Sequence, residues 1–173
     1  LAYAKLAYEI SENFDTPVLL KMCTRVSHSQ SVVEPGDRVE FSKPYEKNGA
    51  KYIMMPGNAK KRHPVVEART LALIDYAENA DINRVDPGES MDMGIITSST
   101  SYQYVKEVLG YKYPVMKLGM IWPLPVEKIK NFAAAVKKLV IVEELDGFIQ
   151  CHCKDLGIDC VGKEMFPNID ELM

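Results

Sequence analysis

The stretch from Gly94 to Asp146 leaves this chain few folds to choose from. LVIVEE (Leu139–Glu144) opens with four apolar residues in a row. Such a run without alternation is the pattern of a strand covered on both faces. GIITS (Gly94–Ser98) and PVMKLG (Pro114–Gly119) are two further short apolar runs. Between the first two strands, Tyr102, Val105 and Leu109 recur at helical spacing, and Thr100–Gln103 has the pattern of a capping box. Between the last two, Pro123 and Pro125 punctuate a second helix with an apolar stripe of Val126, Ile129, Ala133 and Val136, and Glu127 in its first turn. Two consecutive strand–helix–strand units joined by short loops imply a parallel sheet with right-handed crossovers. The expected architecture is therefore a three-layer α/β/α domain with a mostly parallel sheet.

The rest of the chain divides around that core. Tyr3, Ala7, Ile10 and Phe14 sit at helical spacing, and Pro17–Val26 follows as an expected strand. Residues 1–26 thus read as a helix–strand remnant of a preceding domain. Residues 27–50 show neither helical nor strand periodicity and are rich in Ser, Pro, Gly and charge, as a linker would be. Residues 51–173 make the α/β domain: a short strand at Lys51–Pro56, a basic Gly57–His63 segment preceding a helix from Val65 to about Asn79, then a polar connection from Asn83 to Asp92. After the core, Asp146 is placed to cap a helix carrying Ile149, Cys153 and Leu156, with Gly157 ending it. Ile158–Val161 is a last short strand, followed by an extended arm.

Composition excludes several classes. A net charge of −3 gives no basic face for nucleic acid. No apolar run approaches the roughly twenty residues of a membrane span, and nothing has the pattern of a signal peptide. Four cysteines in 173 residues are no disulfide framework, so reduced thiols in the cytoplasm are expected.

Few residues carry a chemical pattern. Ser98, Ser99, Thr100 and Ser101 place hydroxyls and N–H groups at a helix start, which either hold an anion or simply cap the helix; no GxGxxG or GxxxxGK[ST] accompanies them. Arg25 and His28 stand where the expected first strand meets the linker, a place for ligand contacts or for interdomain hydrogen bonds. Lys60, Lys61, Arg62 and His63 form a basic cluster at a helix start, opposing its dipole, so an acidic group is expected to face it. Cys151, His152, Cys153 and Cys160 invite a metal reading. On a helix, however, positions i and i+2 lie about 200° apart, so Cys153 faces the core while Cys151 faces elsewhere, and no metal site is expected. Glu143 and Glu144 end the central strand, where carboxylates are either catalytic or bonded to neighbouring loops. No catalytic set emerges from these residues.

Several separated blocks in order, FDTPVLLKMCTRVSHS, PGNAKKRH, GIITSSTSYQYVKEVLG, KLGMIWPLP and VIVEELDGFI, resemble the large (α) subunits of indolepyruvate ferredoxin oxidoreductases, members of the thiamine-diphosphate-dependent 2-oxoacid:ferredoxin oxidoreductase family. The likeness runs nearly end to end here but covers only the middle of such a subunit. It implies that residues 1–26 close the pyrimidine-binding domain and that residues 51–173 are a domain like the C-terminal domain of transketolase. It also implies that the glutamate activating the thiamine ring lies upstream of Leu1. The GDG…N motif for Mg2+ and diphosphate and the cysteines of the 4Fe–4S clusters lie beyond Met173, and Gly36–Asp37 followed by Arg38 is no substitute. On this resemblance the parent oxidatively decarboxylates an aryl 2-oxo acid to an acyl-CoA and passes electrons to ferredoxin, working with a small β subunit. The stretch in hand is then expected to position domains, hold no cofactor and be inactive alone; separately, the expected Pro17–Val26 strand, with unpaired N–H and C=O groups, is expected to pair with a second copy through the reach of the linker. Two rivals stand beside it: a stand-alone flavodoxin-like ligand-binding module, and the same chemistry on pyruvate or branched 2-oxo acids. Two departures are visible. Ser98–Ser99 stands where the family tends to have Ser-Gly, which weakens any special backbone turn there, and Cys151, His152 and Cys153 fill ordinary helix positions.

Overall fold

In the computed structural model, which describes residues 2–168 and Leu172, the three apolar runs become neighbouring strands of one sheet. In chain order the elements are α1 (Ala2–Phe14), α2 (Thr24–His28), α3 (Gly49–Tyr52), α4 (Pro56–Asn79), β1 (Asn83–Asp86), β2 (Gly94–Ser98), α5 (Ser101–Leu109), β3 (Val115–Leu118), α6 (Val126–Ala135), β4 (Leu139–Val142) and α7 (Phe148–Asp155). Contacts group the chain into two units, Leu1–Arg69 and Thr70–Met173.

The second unit holds the sheet, in the order β1-β3-β2-β4. β2 lies at the centre and pairs in parallel with both β3 and β4. Side chains alternate between two cores. Ile96, Met116, Leu118 and Ile141 pack with Ile129 and Phe132 of α6 and with Ile149 and Cys153 of α7. Ile95, Val115, Val140 and Val142 pack on the other face with Tyr102 and Val105 of α5. The mixed α/β, three-layer architecture is thus as the patterning requires. The second crossover runs back past β2, and its helix lies on the face opposite α5, as two right-handed crossovers demand.

The polar connection over Asn83–Asp92 is corrected in part: its first four residues are β1, antiparallel to β3 with Arg84 opposite Lys117. A half-exposed edge strand lacks the apolar run that marks a central one. It is tied to α5 through Tyr102, whose hydroxyl donates to Asp86 (2.6 Å) and accepts from Arg84 (3.2 Å). The expected Ile158–Val161 strand shrinks to one bridge, Val140 with Val161. It still covers the outer edge of β4, with Ile141 N–H donating to the Val161 carbonyl at 2.8 Å.

Two polar side chains fix the ends of these elements. Asn83, fully buried, accepts from the N–H groups of Gly119 (3.0 Å) and Met120 (2.9 Å) and donates to the Ala77 carbonyl (3.1 Å). Gly119 is required there, since a Cβ would stand 2.6 Å from the Ile82 carbonyl oxygen. Glu78 accepts from the N–H groups of Glu127 and Lys128, each at 2.8 Å, and so caps α6 from another element.

In the first unit two expected strands are replaced. Residues 17–23 have no regular structure and Thr24–His28 is a helical turn, in place of a strand over Pro17–Val26. Among the described residues this unit has no strand to pair with it, and strand N–H and C=O groups need a ladder. At Lys51–Pro56 the residues up to Tyr52 are helical, because the Asn48 side chain accepts from Lys51 N–H (3.0 Å) as an N-cap. Residues 29–48 are without regular structure. The helix expected from Val65 starts at Pro56, so the basic segment lies inside it, and Pro64 is accommodated in its interior.

Replacing Asn83 with Ala leaves the part-buried Met120 N–H without its acceptor and the Ala77 carbonyl without the Asn83 donor, while Gly119 N–H keeps the Ile82 carbonyl at 3.0 Å. It is expected to lower unfolding stability by about 2–3 kcal/mol, read from urea midpoints at an unchanged m-value.

Candidate functional site

The geometry singles out the carboxyl edge of the sheet. β2 and β4 are neighbours, yet β2 is followed by a helix on one face and β4 by a helix on the other. In open α/β sheets that arrangement opens a crevice beyond the strand ends, where ligands bind. The loops that line it are Ser98–Thr100 and Glu143–Gly147. Two groups marked in the sequence therefore meet: the Thr100 hydroxyl donates to the Glu144 carboxylate at 3.4 Å. Arg25 and His28 do not join them; both lie on α2, in the other unit.

The backbone corrects two sequence readings here. Ser99 has φ +52°, the left-handed region, although it is not glycine. The special turn that Ser98–Ser99 was expected to weaken is therefore present, carried by serine. The capping box is absent: Thr100 is already helical and its side chain makes no cap bond, while Gln103 N–H bonds its carbonyl (2.9 Å). Beneath the turn, Thr97 is fully buried and its hydroxyl has no partner among the described residues.

Glu143 is only 5 % exposed, and both of its oxygens are taken. They accept the N–H groups of Ile149 (2.8 Å) and Gln150 (3.0 Å), placing a carboxylate on the positive end of α7. The cap expected from Asp146 is thus supplied by Glu143; the N-cap position is Gly147, with no side-chain bond of its own. Lys163 reaches the Glu143 carbonyl (3.0 Å), and Leu172 N–H the Glu144 carboxylate (3.4 Å), so these two residues of the C-terminal segment lie against the same edge. Glu164 anchors that segment, accepting from Lys154 (2.7 Å), Gln150 (2.6 Å) and Gly162 N–H (2.9 Å). The Lys154 bond, followed by the backbone N–H groups, draws its carboxyl down to about 2.

The cysteines divide as helical geometry requires: Cys151 is exposed, while Cys153 and Cys160 are buried. Burial first, then the charges of Cys160 and Glu143, push the Cys153 thiol up to about 12, away from the thiolate a metal needs. Among the described residues no three His, Cys, Asp or Glu side chains gather to hold a metal.

The basic cluster has the acidic neighbour that was expected. Asp15, at φ +51°, accepts from Lys51 (2.5 Å) and lies 3.7 Å from Arg62, while Arg69 donates to its carbonyl. The Lys51 hydrogen bond holds the Asp15 carboxyl below the usual range. Pattern reading missed an apolar ridge on the carboxyl edge of the second unit. Trp122 (66 % exposed) and Phe148 (47 %) meet edge to face at 6.4 Å, near exposed Leu145, itself at φ +57°. Trp122 and Leu145 lie in loops and Phe148 is the first residue of α7, all outside the periodic runs.

Curated proteins of one kind are similar to this stretch. An indolepyruvate oxidoreductase subunit IorA from Archaeoglobus fulgidus is 36% identical over 162 residues, 90% of this chain and 26% of that protein. The stretch is similar to part of the IorA subunits of indolepyruvate oxidoreductases. The IorA subunit of Methanothermobacter marburgensis is 33% identical over 87% of the chain and 25% of its own length, and that of Thermococcus kodakarensis 30% over 97% and 29%. The chain thus spans about a quarter of the length of the relatives it matches. No protein-family model matches. A solved 2-oxoglutarate:ferredoxin oxidoreductase from Magnetococcus marinus covers 63% of the chain, and the chain covers 20% of it, at 23% identity and a TM-score of 0.49, too slight a likeness to build on. No helix among the described residues is long and apolar enough to cross a membrane.

Two outcomes test the edge. Ser99→Gly should leave stability unchanged or raise it by up to about 1 kcal/mol, whereas Ser99→Val should cost about 1–2 kcal/mol, because only L side chains resist the left-handed turn. Glu164 has its pKa lowered on folding, so its contribution is full above pH 4.5 and is lost as pH falls towards about 2. Amide exchange at Gly162 should accelerate across that window, and Glu164→Gln should abolish the step.

Proposed function

We propose that this stretch is a positioning segment of a larger oxidoreductase subunit, one that oxidatively decarboxylates aryl 2-oxo acids such as indolepyruvate to acyl-CoA with ferredoxin as acceptor. The observation that carries the reading is how the carboxyl edge is used. Glu143 is spent on two N–H groups of α7, and the ridge of Ile121, Trp122, Leu145 and Phe148 stays exposed. A contiguous apolar patch on an otherwise polar edge suits packing against another domain or subunit.

The limits we propose are residues 1–26 for the end of a pyrimidine-binding domain, 27–50 for a linker, and 51–173 for a transketolase-C-like domain. Its neighbours are the remaining domains of the subunit, a small β subunit and, for the whole enzyme, ferredoxin in the cytoplasm. Thiamine diphosphate with Mg2+, the 4Fe–4S clusters and coenzyme A belong to the parent. The residues here do not fit those groups. Asp37 stands on exposed chain without regular structure, Glu143 is saturated, and Cys151 points away from Cys153. No step of the reaction is routed through this stretch, and Arg25, His28 and Ser98–Ser101 serve backbone and border contacts. The chain alone is also inferred to self-associate.

Titration calorimetry of the chain with thiamine diphosphate and Mg2+ should show no heat of binding, and 2-oxo acids should not turn over. A micromolar site would overturn the positioning role.

A further inference from the structure

We propose that Cys153 and Cys160 are a dithiol set to close into a disulfide when a hydroperoxide reaches them, strapping the segment after α7 onto that helix. The pair lies wholly in the second unit and is left idle by the positioning role.

The chain brings the two residues together in a fixed way. α7 ends in a turn at Gly157, whose φ of +74° suits a residue without a Cβ. Gly157 N–H donates to the Lys154 carbonyl (2.9 Å) and Ile158 N–H to the Cys153 carbonyl (3.0 Å), the paired bonds of a Schellman motif. A few residues on, the chain is pinned again: Ile141 N–H donates to the Val161 carbonyl (2.8 Å), and Val161 N–H to that of Leu139 (3.1 Å). Between these fixed points the side chains alternate, as in any extended segment. Ile158 and Cys160 turn to the core shared with α6 and α7, and Val161 to the opposite core. Cys153 is fully buried in the same core as Cys160. Their thiols meet within hydrogen-bond reach, a contact that adds to the burial holding the Cys153 thiol up.

The two thiols differ in access. Cys153 has none, whereas Cys160 is 7 % exposed and lines a cavity of about 530 Å³ together with Ala133, Val136, Leu139, Ile158 and Val161. A small, uncharged hydroperoxide suits that opening. Burial raises the Cys160 thiol, and the nearby Lys154 ammonium opposes the rise, so Cys160 reacts first. With hydrogen peroxide, its sulfur breaks the O–O bond and becomes a sulfenic acid, and the Cys160 proton leaves with the other oxygen as water. The Cys153 sulfur then attacks the sulfenic sulfur. The S–S bond forms, the S–O bond breaks, and the departing hydroxide takes the Cys153 proton as a second water. Both thiols are oxidised and one peroxide is reduced. Because burial keeps both thiols protonated, the pair stays reduced until oxidant accumulates.

Closure bears on the sheet. The bridge at Val161 covers the outer edge of β4, and an open strand edge is a template for pairing with another chain. A disulfide ties the middle of that cover to α7 and suppresses its local opening.

The test uses the full chain carrying Cys23→Ser and Cys151→Ser, which removes the two cysteines outside the core. After hydrogen peroxide, tryptic mapping should find the peptides on either side of Lys154 joined through Cys153 and Cys160, and dithiothreitol should part them. Amide exchange at Ile141, whose N–H the Val161 carbonyl accepts, should slow about tenfold or more on oxidation. Adding Cys160→Ala should leave Cys153 unmodified, since a fully buried thiol is reached only through its partner. Oxygen added to Cys160 without a link, a link between copies, or both thiols untouched by peroxide would each overturn the dithiol. A link formed with exchange at Ile141 unchanged would overturn the strap and leave the dithiol standing. None of these outcomes bears on the thiamine diphosphate titration, so the positioning role stands or falls separately.

Discussion

A buried parallel sheet must find hydrogen-bond partners for the backbone groups at the ends of its strands and helices, and in this molecule side chains from distant elements supply them. Asn83 holds the backbone after β3, Glu78 caps α6, and Glu143 caps α7. An unpartnered buried N–H costs on the order of 1–3 kcal/mol, so each of these three side chains governs how its neighbours are placed. Glu143 has the widest reach. By fixing the first turn of α7 it sets Ile149 and Cys153 into the core, and presents Gln150 to Glu164, which in turn anchors the C-terminal segment.

That dependence explains what was legible in the sequence. The buried strands and α5 and α6 could be read because burial imposes a pattern on their residues, even in β4 at the end of the sheet: Ile95 and Ile96 in β2, the four apolar residues of β4, and the Tyr102–Val105 spacing of α5. The caps could not. Local rules nominated Thr100–Gln103 and Asp146, whereas the acceptors come from residues six to fifty positions away. Pattern reading sees neighbours in sequence, and capping here is tertiary. The same limit hid β1, whose polar side chains reflect its place at the sheet edge, and it produced the strand expected over Pro17–Val26. An apolar run there matched a strand's composition, but no partner ladder exists among the described residues to make it one.

The candidate site shows a similar split. Helical geometry placed Cys151 and Cys153 on opposite sides of α7, and the carboxylate pair was rightly located at a strand end. What the residues could not disclose was that Glu143 and Glu144, adjacent in sequence, have different duties. One is buried and saturated; the other is bonded at 3.4 Å to Thr100 and at 3.4 Å to Leu172. Ser99 adds a second lesson. Serine in place of glycine was reason to doubt a left-handed turn, yet the chain adopts φ +52° there. The strand below and the helix above fix both ends of a two-residue connection, and the penalty for an L residue, about 1–2 kcal/mol, is small beside the burial of β2 and α5.

Strain and exposure then fall together on one edge. Ser99 and Leu145 hold left-handed backbones on the two loops flanking the β2–β4 crevice, and Trp122 and Phe148 stand exposed beside them. The polar groups that might have served a ligand at this crevice are largely engaged: Glu143 with α7, Glu144 with Thr100 and Leu172. An edge with its hydrogen bonds closed and its apolar side chains open has more to offer a packed neighbour than a small polar substrate. A fold whose carboxyl edge commonly hosts ligands here devotes the polar groups of that edge to holding itself together, and leaves Trp122 and Phe148 exposed beside them.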